Sequence, residues 1–249
     1  MINYVHLRIQ SFLFGLKLPF TALKLALKKK SLLVLSLIPI GLTTLIYVYV
    51  IQSLQNNTQI WMKNRLVDLG MNSSGVLFSG VELITSLCLI LLGVFTFTFM
   101  SSIVSSPFND WLALKTEKSL DQPLFYKEKS GIKEQLRLMY IDLLKSVLAT
   151  SVGIISIFFS LIPILNLFVF VLAFLLITFQ FISYPQTRRG IGFKKGTRFL
   201  IKNLYSCVGF GLSFGFLFSI PFFSSFAIPL AVIAGTILFG ESEKNKNLK

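Results

Sequence analysis

Three consecutive lysines, Lys28, Lys29 and Lys30, are followed by Ser31 at the head of an apolar stretch that runs to Ile51. If a helix begins there, its first turn offers unpaired backbone N–H groups and about half a positive charge, a combination that binds anions. The lysines and the hydroxyl would add charge-assisted hydrogen bonds to such a ligand. The same residues could instead hold the stretch against anionic lipid headgroups, and both readings stand at this point. Arg188, Arg189, Lys194 and Lys195 pose the same choice between anion contact and lipid anchoring, with anchoring favoured.

Other chemistry is sparse. Asp110 and Glu117 are the one acidic pair that a lipid-modifying site at headgroup level could use for acid–base work. Glu82 is the only ionisable acid inside an apolar stretch, which makes it a functional candidate, although its place near the end of that stretch favours an interfacial position. A single histidine, His6, cannot build a triad or a metal site with histidine partners. Cys88 and Cys207 lie in apolar runs and read as packing residues. No G-x-x-x-x-G-K-[ST] loop occurs, which argues against ATP-driven pumping by this chain alone. The run from Gly190 to Thr197 resembles a phosphate loop only in composition and reads as a basic turn. The chain is therefore expected to be no enzyme and to need no metal or cofactor.

The elements that position these residues follow from hydropathy. Of 249 residues, 54% are hydrophobic and only 14% charged, with a mean hydropathy of +0.75. Soluble domains carry about 25% charged residues, so lipid is the expected solvent and the fold class is an all-α integral membrane protein. The net charge of +14 lies in blocks beside apolar stretches, where orienting charges belong, and nucleic-acid binding is not expected. Ser31–Ile51 and Val76–Val104 read as two long transmembrane helices, since about 20 residues cross the hydrocarbon.

Two further stretches, 146–182 and 204–239, contain 37 and 36 residues and no charge. One helix of that length would reach about 55 Å, yet two full crossings and a turn need about 43 residues. Each is therefore expected to fold as a proline-centred helical hairpin that dips into the bilayer and returns. Pro163 and Asn166 mark the first turn, and Ser219-Ile220-Pro221 the second. The two turns look alike, which fits either an internal repeat or chance. Gly211 and Gly215, with Gly209 nearby, form a close-packing pattern for helices.

If both hairpins return to their starting side, 22 of 24 Lys and Arg residues share one compartment. That compartment is the cytoplasm, with both termini in it, and the location is an inner or plasma membrane. Residues 1–30 read as an amphipathic interfacial helix with Lys17, Thr21, Lys24 and Lys28 on one stripe. The segment lacks a small-residue cleavage site and is expected to be retained. Residues 105–145 form a cytoplasmic segment with a second such helix from Ile132 to Leu144, its apolar face made by Ile132, Leu136, Met139 and Leu143. Residues 240–249 are a polar tail. All of this is one domain, 1–249.

Several short motifs now line up in order. Ser105-Ser106-Pro107-Phe108-Asn109-Asp110-Trp111-Leu112, followed by Glu117, resembles the Pro-Phe-x-Asp-x-Leu signature of the CysZ-type sulfate permeases, within the wider etoposide-induced protein family. Ile162-Pro163 with Asn166 is similar to that family's first hairpin turn. Tyr184-Pro185 is similar to its Asp-Tyr-Pro, with Ser183 in place of the acid. Gly209-Phe210-Gly211, Ile220-Pro221 and Pro229-Leu230-Ala231 resemble its final hairpin, so the likeness covers about residues 15 to 240. The resemblance implies uptake of sulfate, or a similar small anion, into the cytoplasm by a homo-oligomer with shallow hairpin helices. It also implies that the anion meets basic residues near the start of the first membrane helix, here Lys28, Lys29, Lys30 and Ser31. The family's glycine and arginines at that place are replaced by a lysine run. Two readings of other classes stand beside this one: a non-transport scaffold that shapes the bilayer, and a lipid-modifying enzyme using Asp110 and Glu117.

Overall fold

The computed structural model of the chain describes residues 2–68, 80–81, 83–88, 108–120, 132–220 and 223–247. Every regular element among them is an α-helix, in agreement with the expected class. In chain order they are α1 (Ile2–Lys28), α2 (Lys30–Asp68), α3 (residues 108–119), α4 (Ile132–Ser160), α5 (Pro163–Arg188), α6 (Phe193–Lys202), α7 (Leu204–Phe218) and α8 (Phe223–Asn247). They fall into two compact units, Met1–Ser36 with Pro107–Lys249, and Leu37–Ser106.

The second unit contains most of α2, which has 39 residues where the apolar stretch has 21. No proline or glycine interrupts the polar run from Gln52 to Asp68, so nothing stops the helix where the hydrophobicity ends. The expected second span, 76–104, lies outside the described residues except for 80–81 and 83–88, which are helical. Glu82 and Pro107 also lie outside them.

In the first unit, α8 packs against α1, α5 and α7, and α5 also packs against α4 and α7. Two described helices are long and apolar enough to cross a membrane, α5 and Phe223–Lys244 of α8. They differ in what their hydrophobicity serves. The apolar window of α8 is 83% buried within the protein, against 17% for α5. Residues 231–240 of α8 are all buried and form the centre of the core with Leu32, Leu112, Phe181, Phe210 and Phe214. The side chains of α5 up to Phe170 are instead largely turned outward.

Each of the two long uncharged stretches holds parts of two helices, α4 with α5 and α7 with α8, and the members of each pair touch. Pro163 opens α5 at its first turn, where its missing N–H and fixed φ cost nothing. Ile162 before it is extended (φ −95°, ψ 115°), as a residue preceding proline prefers to be, and this ends α4. The end of each first arm is tied by a serine to the carbonyl three residues back: Ser160 Oγ to Ile157 O at 2.6 Å, and Ser219 Oγ to Phe216 O at 2.7 Å. Asn166 donates its backbone N–H to Ile162 O at 3.0 Å, while its side chain is exposed. Pro221 lies outside the described residues.

The arms are unequal. Halving each stretch suggests arms of about 16 residues, too short to cross, and α7 has 15. But α5 has 26 residues, about 39 Å of helix, because it continues through Tyr184-Pro185 to Arg188. Arm length therefore gives no reason for α5 to stop short of a crossing. Pro185 is tolerated because α8 comes close at this level. It removes the helical donor for Phe181 O, and that carbonyl faces Gly235, where an added Cβ would lie only 2.9 Å from it. Gly235 offers the Cα–H contact and close backbone approach that the orphaned carbonyl can use.

Glycines set the other crossings. A Cβ on Gly15 of α1 would collide with Ser206 O of α7, and one on Gly209 would collide with Phe12 O of α1. Gly211 backs directly onto the Phe174 backbone of α5, with Gly215 one turn on against Ile177 and Phe174. The expected packing role of this glycine pattern is the observed one. α1 divides into three faces: Leu18, Ala22 and Ala26 are buried in the core, Lys17, Thr21, Lys24 and Lys28 are exposed along one stripe, and Phe20, Leu23 and Leu27 are exposed along another. The expected second amphipathic helix is the first half of the continuous α4. Its four proposed apolar side chains lie outside the described residues.

Candidate functional site

The short helix α3 is built to bury one side. Asn109, Leu112, Ala113, Thr116 and Glu117 are buried at spacings of three and four, while Asp110 and Trp111 stay exposed. Phe108 stacks edge-on against Trp111, with centroids 5.9 Å apart. The polar members of α3 meet the last two turns of α5 in three places. Asn109 Nδ2 donates to the Tyr184 hydroxyl at 3.2 Å. Arg188 Nη1 donates to the backbone carbonyl of Asp110 at 2.9 Å, with Asp110 Oδ1 at 3.8 Å. Arg189 Nη2 donates to Glu117 Oε1 at 3.1 Å, and its guanidinium stands 4.8 Å from the centre of the Phe239 ring.

Thus Asn109, Asp110 and Glu117 of one motif, and Tyr184 of the other, come from segments about seventy residues apart to form one cluster. Arg188 and Arg189 belong to it. Their side chains are only 6% and 10% exposed. Of the acid pair, Glu117 is buried against Arg189, while the Asp110 side chain is 53% exposed and 3.8 Å from Arg188. Glu117 has its pKa raised above the ordinary 4.5. Burial is the main cause, outweighing the pull of Arg189 and Arg188, and Asp110 raises it further.

A second layer lies beside this one and escaped sequence reasoning. Lys145 of α4 is almost wholly buried, donates to Thr187 Oγ1 at 3.1 Å, and lies 6.0 Å from the Phe179 ring centre. Thr187 also shares a 3.5 Å hydroxyl contact with Ser183. Gln186 is fully buried, and neither of its amide atoms has a hydrogen-bond partner. Its Oε1 would lie 2.7 Å from a Cβ at Gly196 of α6. A lysine one residue ahead of a long apolar run was the available signal for Lys145.

Lys28, Lys29, Lys30 and Ser31 stand apart from these bonds. All four are exposed, at the break between α1 and α2. Lys29 is the hinge: its N–H donates to Leu25 O at 3.0 Å, and its carbonyl accepts from Leu32 N at 2.8 Å and Leu33 N at 3.3 Å. The expected helix start is therefore real, one residue earlier than hydropathy placed it. Lys194 and Lys195 are exposed on α6, which turns 96° into α7. Among the described residues no cluster of His, Cys, Asp and Glu could hold a metal ion.

Helical architecture among the described residues and apolar helices of spanning length define the class, an all-α membrane protein. The chain belongs to the Sulfate transporter CysZ/Etoposide-induced protein 2.4 family, whose model matches residues 18–229. It is similar to the sulfate transporter CysZ of Pseudomonas aeruginosa (strain LESB58), with 26% identity over 225 residues that cover 85% of this chain and 89% of the relative. The protein of the same name from Pseudomonas paraeruginosa (strain DSM 24068 / PA7) matches with the same identity and coverage.

Proposed function

We propose that the chain is a permease for a small oxyanion, sulfate first among them, that carries it into the cytoplasm. The observation that carries this reading is the family match over 18–229, with both relatives named sulfate transporters. In this reading Lys28, Lys29, Lys30 and Ser31 meet the anion. They are exposed at a helix start, where N–H groups and the helix dipole favour negative charge. Arg188 and Arg189 form a second, interior place of positive charge.

The protein works in a cell membrane, multi-pass, with both termini in the cytoplasm. Support for that sidedness comes from the distribution of Lys and Arg, 22 of 24 on one side when both hairpins return. It acts as a homo-oligomer, for which the outward apolar surface of the first half of α5 offers a face. The short α7, about 22 Å long, suits a helix that enters the bilayer without leaving the far side.

Sulfate binding to the purified protein in detergent tests the entry site. Substituting Lys28→Gln, Lys29→Gln and Ser31→Ala together is expected to weaken binding at least about tenfold, by removing charge-assisted bonds, while insertion and melting temperature stay unchanged. Unchanged affinity would remove these residues from the site.

A further inference from the structure

The short helix α6 gives one face to the core and turns the other outward. Gly196, Phe199 and Leu200 are buried. Phe199 packs on Phe239 of α8 with ring centres 5.2 Å apart, and Phe193 on Phe179 of α5 at 5.4 Å. A Cβ on Gly196 would lie only 3.0 Å from the Phe179 ring, so α6 rests closely on α5 and its roll is fixed. That roll turns Lys194, Lys195, Arg198 and Lys202 outward at spacings of one, three and four, and all four are exposed. No acid occurs from Arg189 to Gly240, and among the described residues none of the four is paired with a carboxylate. Ile201, 69% exposed, and the exposed Tyr205 border them. Arg8 of α1, 5.3 Å from the centre of the Tyr205 ring, brings a further cation to the same edge.

We propose that the outer face of α6 is a docking surface for anionic phospholipid headgroups. α7 carries no charge and enters the apolar layer, so α6, turned 96° from it, runs along the bilayer surface. There the four cations meet phosphate oxygens, while Ile201 and the Tyr205 ring sit at the acyl boundary, as in an interfacial amphipathic helix. A free oxyanion would use the cations and leave Ile201 in water. The charged positions also span about 12 Å of helix, more than one small oxyanion bridges. A lipid surface satisfies the charge and the apolar contact together. Its attraction grows about fivefold with each Lys or Arg held near it. The docking surface concerns how the protein sits in its membrane and does not depend on what the protein carries.

The test is photolabelling of the full-length protein in liposomes that contain, at equal mole fraction, a diazirine-bearing phosphatidylglycerol or the matching phosphatidylcholine, with the labelled peptides mapped by mass spectrometry. Peptides covering α6 are expected to carry at least about fivefold more label from phosphatidylglycerol than from phosphatidylcholine. Lys194→Gln, Lys195→Gln, Arg198→Gln and Lys202→Gln together should bring the two lipids within about twofold of each other on α6, and leave the labelling of the outward half of α5 as in wild type. A second arm needs no variant. Raising the salt from about 0.1 to about 1 M shortens the screening length from about 10 to about 3 Å and should shrink the excess in the wild-type protein. Equal labelling of wild-type α6 by the two lipids overturns the docking surface, as does an excess that survives high salt or the folded quadruple variant. Exchanging chloride for sulfate at constant ionic strength should leave the excess intact. Its loss there would mean that α6 takes a free oxyanion, which also overturns the lipid surface.

Discussion

The Glu117–Arg189 pair allows a quantitative test of how the two motifs are held together. Both side chains are at least nine-tenths buried and 3.1 Å apart, so removing one leaves an uncompensated charge in the interior, which costs about 3–5 kcal/mol. For a chain of this size, where ~1 kcal/mol shifts the melting temperature by about 2–4 °C, Glu117→Ala should lower it by roughly 6–20 °C. Arg189→Ala should cost less than the same logic implies. Glu117 can neutralise itself by taking up a proton, while an abandoned arginine cannot. One neighbour tempers the loss in Glu117→Ala, the Phe239 face at 4.8 Å, which still attracts the guanidinium; Arg188, which the Glu117 carboxylate also attracts, deepens it. The double variant removes both charges and should be less destabilised than the two singles combined by about 2–3 kcal/mol. Thermal unfolding of the four proteins in one detergent, at alkaline pH where the carboxylate is ionised, measures this coupling. Single losses that simply add, within about 0.5 kcal/mol, would show that the pair does not join α3 to α5.

Two other outcomes follow from the same geometry. Gly209→Ala should lower stability by more than about 1 kcal/mol and disturb α1, because its Cβ would meet the Phe12 carbonyl and Leu16 N at 3.1 Å; Gly41→Ala, with nothing within 4 Å of its Cβ, should be neutral or slightly stabilising in its helix. Melting curves in detergent compare the two, and equal effects would contradict the close crossing. The raised pKa of Glu117 sets a sign for pH dependence. The folded state holds this proton more tightly than the unfolded one, so its contribution is full below 4.5 and is lost as pH rises through the raised folded value. The melting temperature should carry a downward component across that window, and Glu117→Gln should abolish it.

Much of the fold was legible because lipid imposes simple rules. The uncharged runs of 37 and 36 residues exceed one span, and each holds a helix break, the first at Pro163 and the second after Phe218. What hydropathy could not distinguish was apolar surface facing lipid from apolar surface facing protein. α5 and α8 read alike, yet one is outward and the other is the core. Hydropathy also misplaced ends. α2 and α5 both continue past their apolar stretches, the first for lack of a breaker and the second because Gly235 accommodates Pro185. Of the candidate site, the residues were legible and their pairing was not. Arg188 and Arg189 look like membrane-edge anchors in one dimension, and only a contact across more than seventy residues turns them into partners of Asp110 and Glu117. A trace was present in the i, i+7 spacing of Asp110 and Glu117, which allows both to reach one neighbouring helix.

Permease activity requires movement of an oxyanion through this chain. The direct measurement is uptake of radiolabelled sulfate into liposomes reconstituted with the purified protein, against protein-free liposomes and against the Lys28, Lys29, Ser31 triple variant. The permease reading predicts uptake above the protein-free rate, competed by unlabelled sulfate and reduced in the triple variant. Well-inserted wild-type protein that admits no more sulfate than empty liposomes would contradict it, and would favour a scaffold that shapes the bilayer instead.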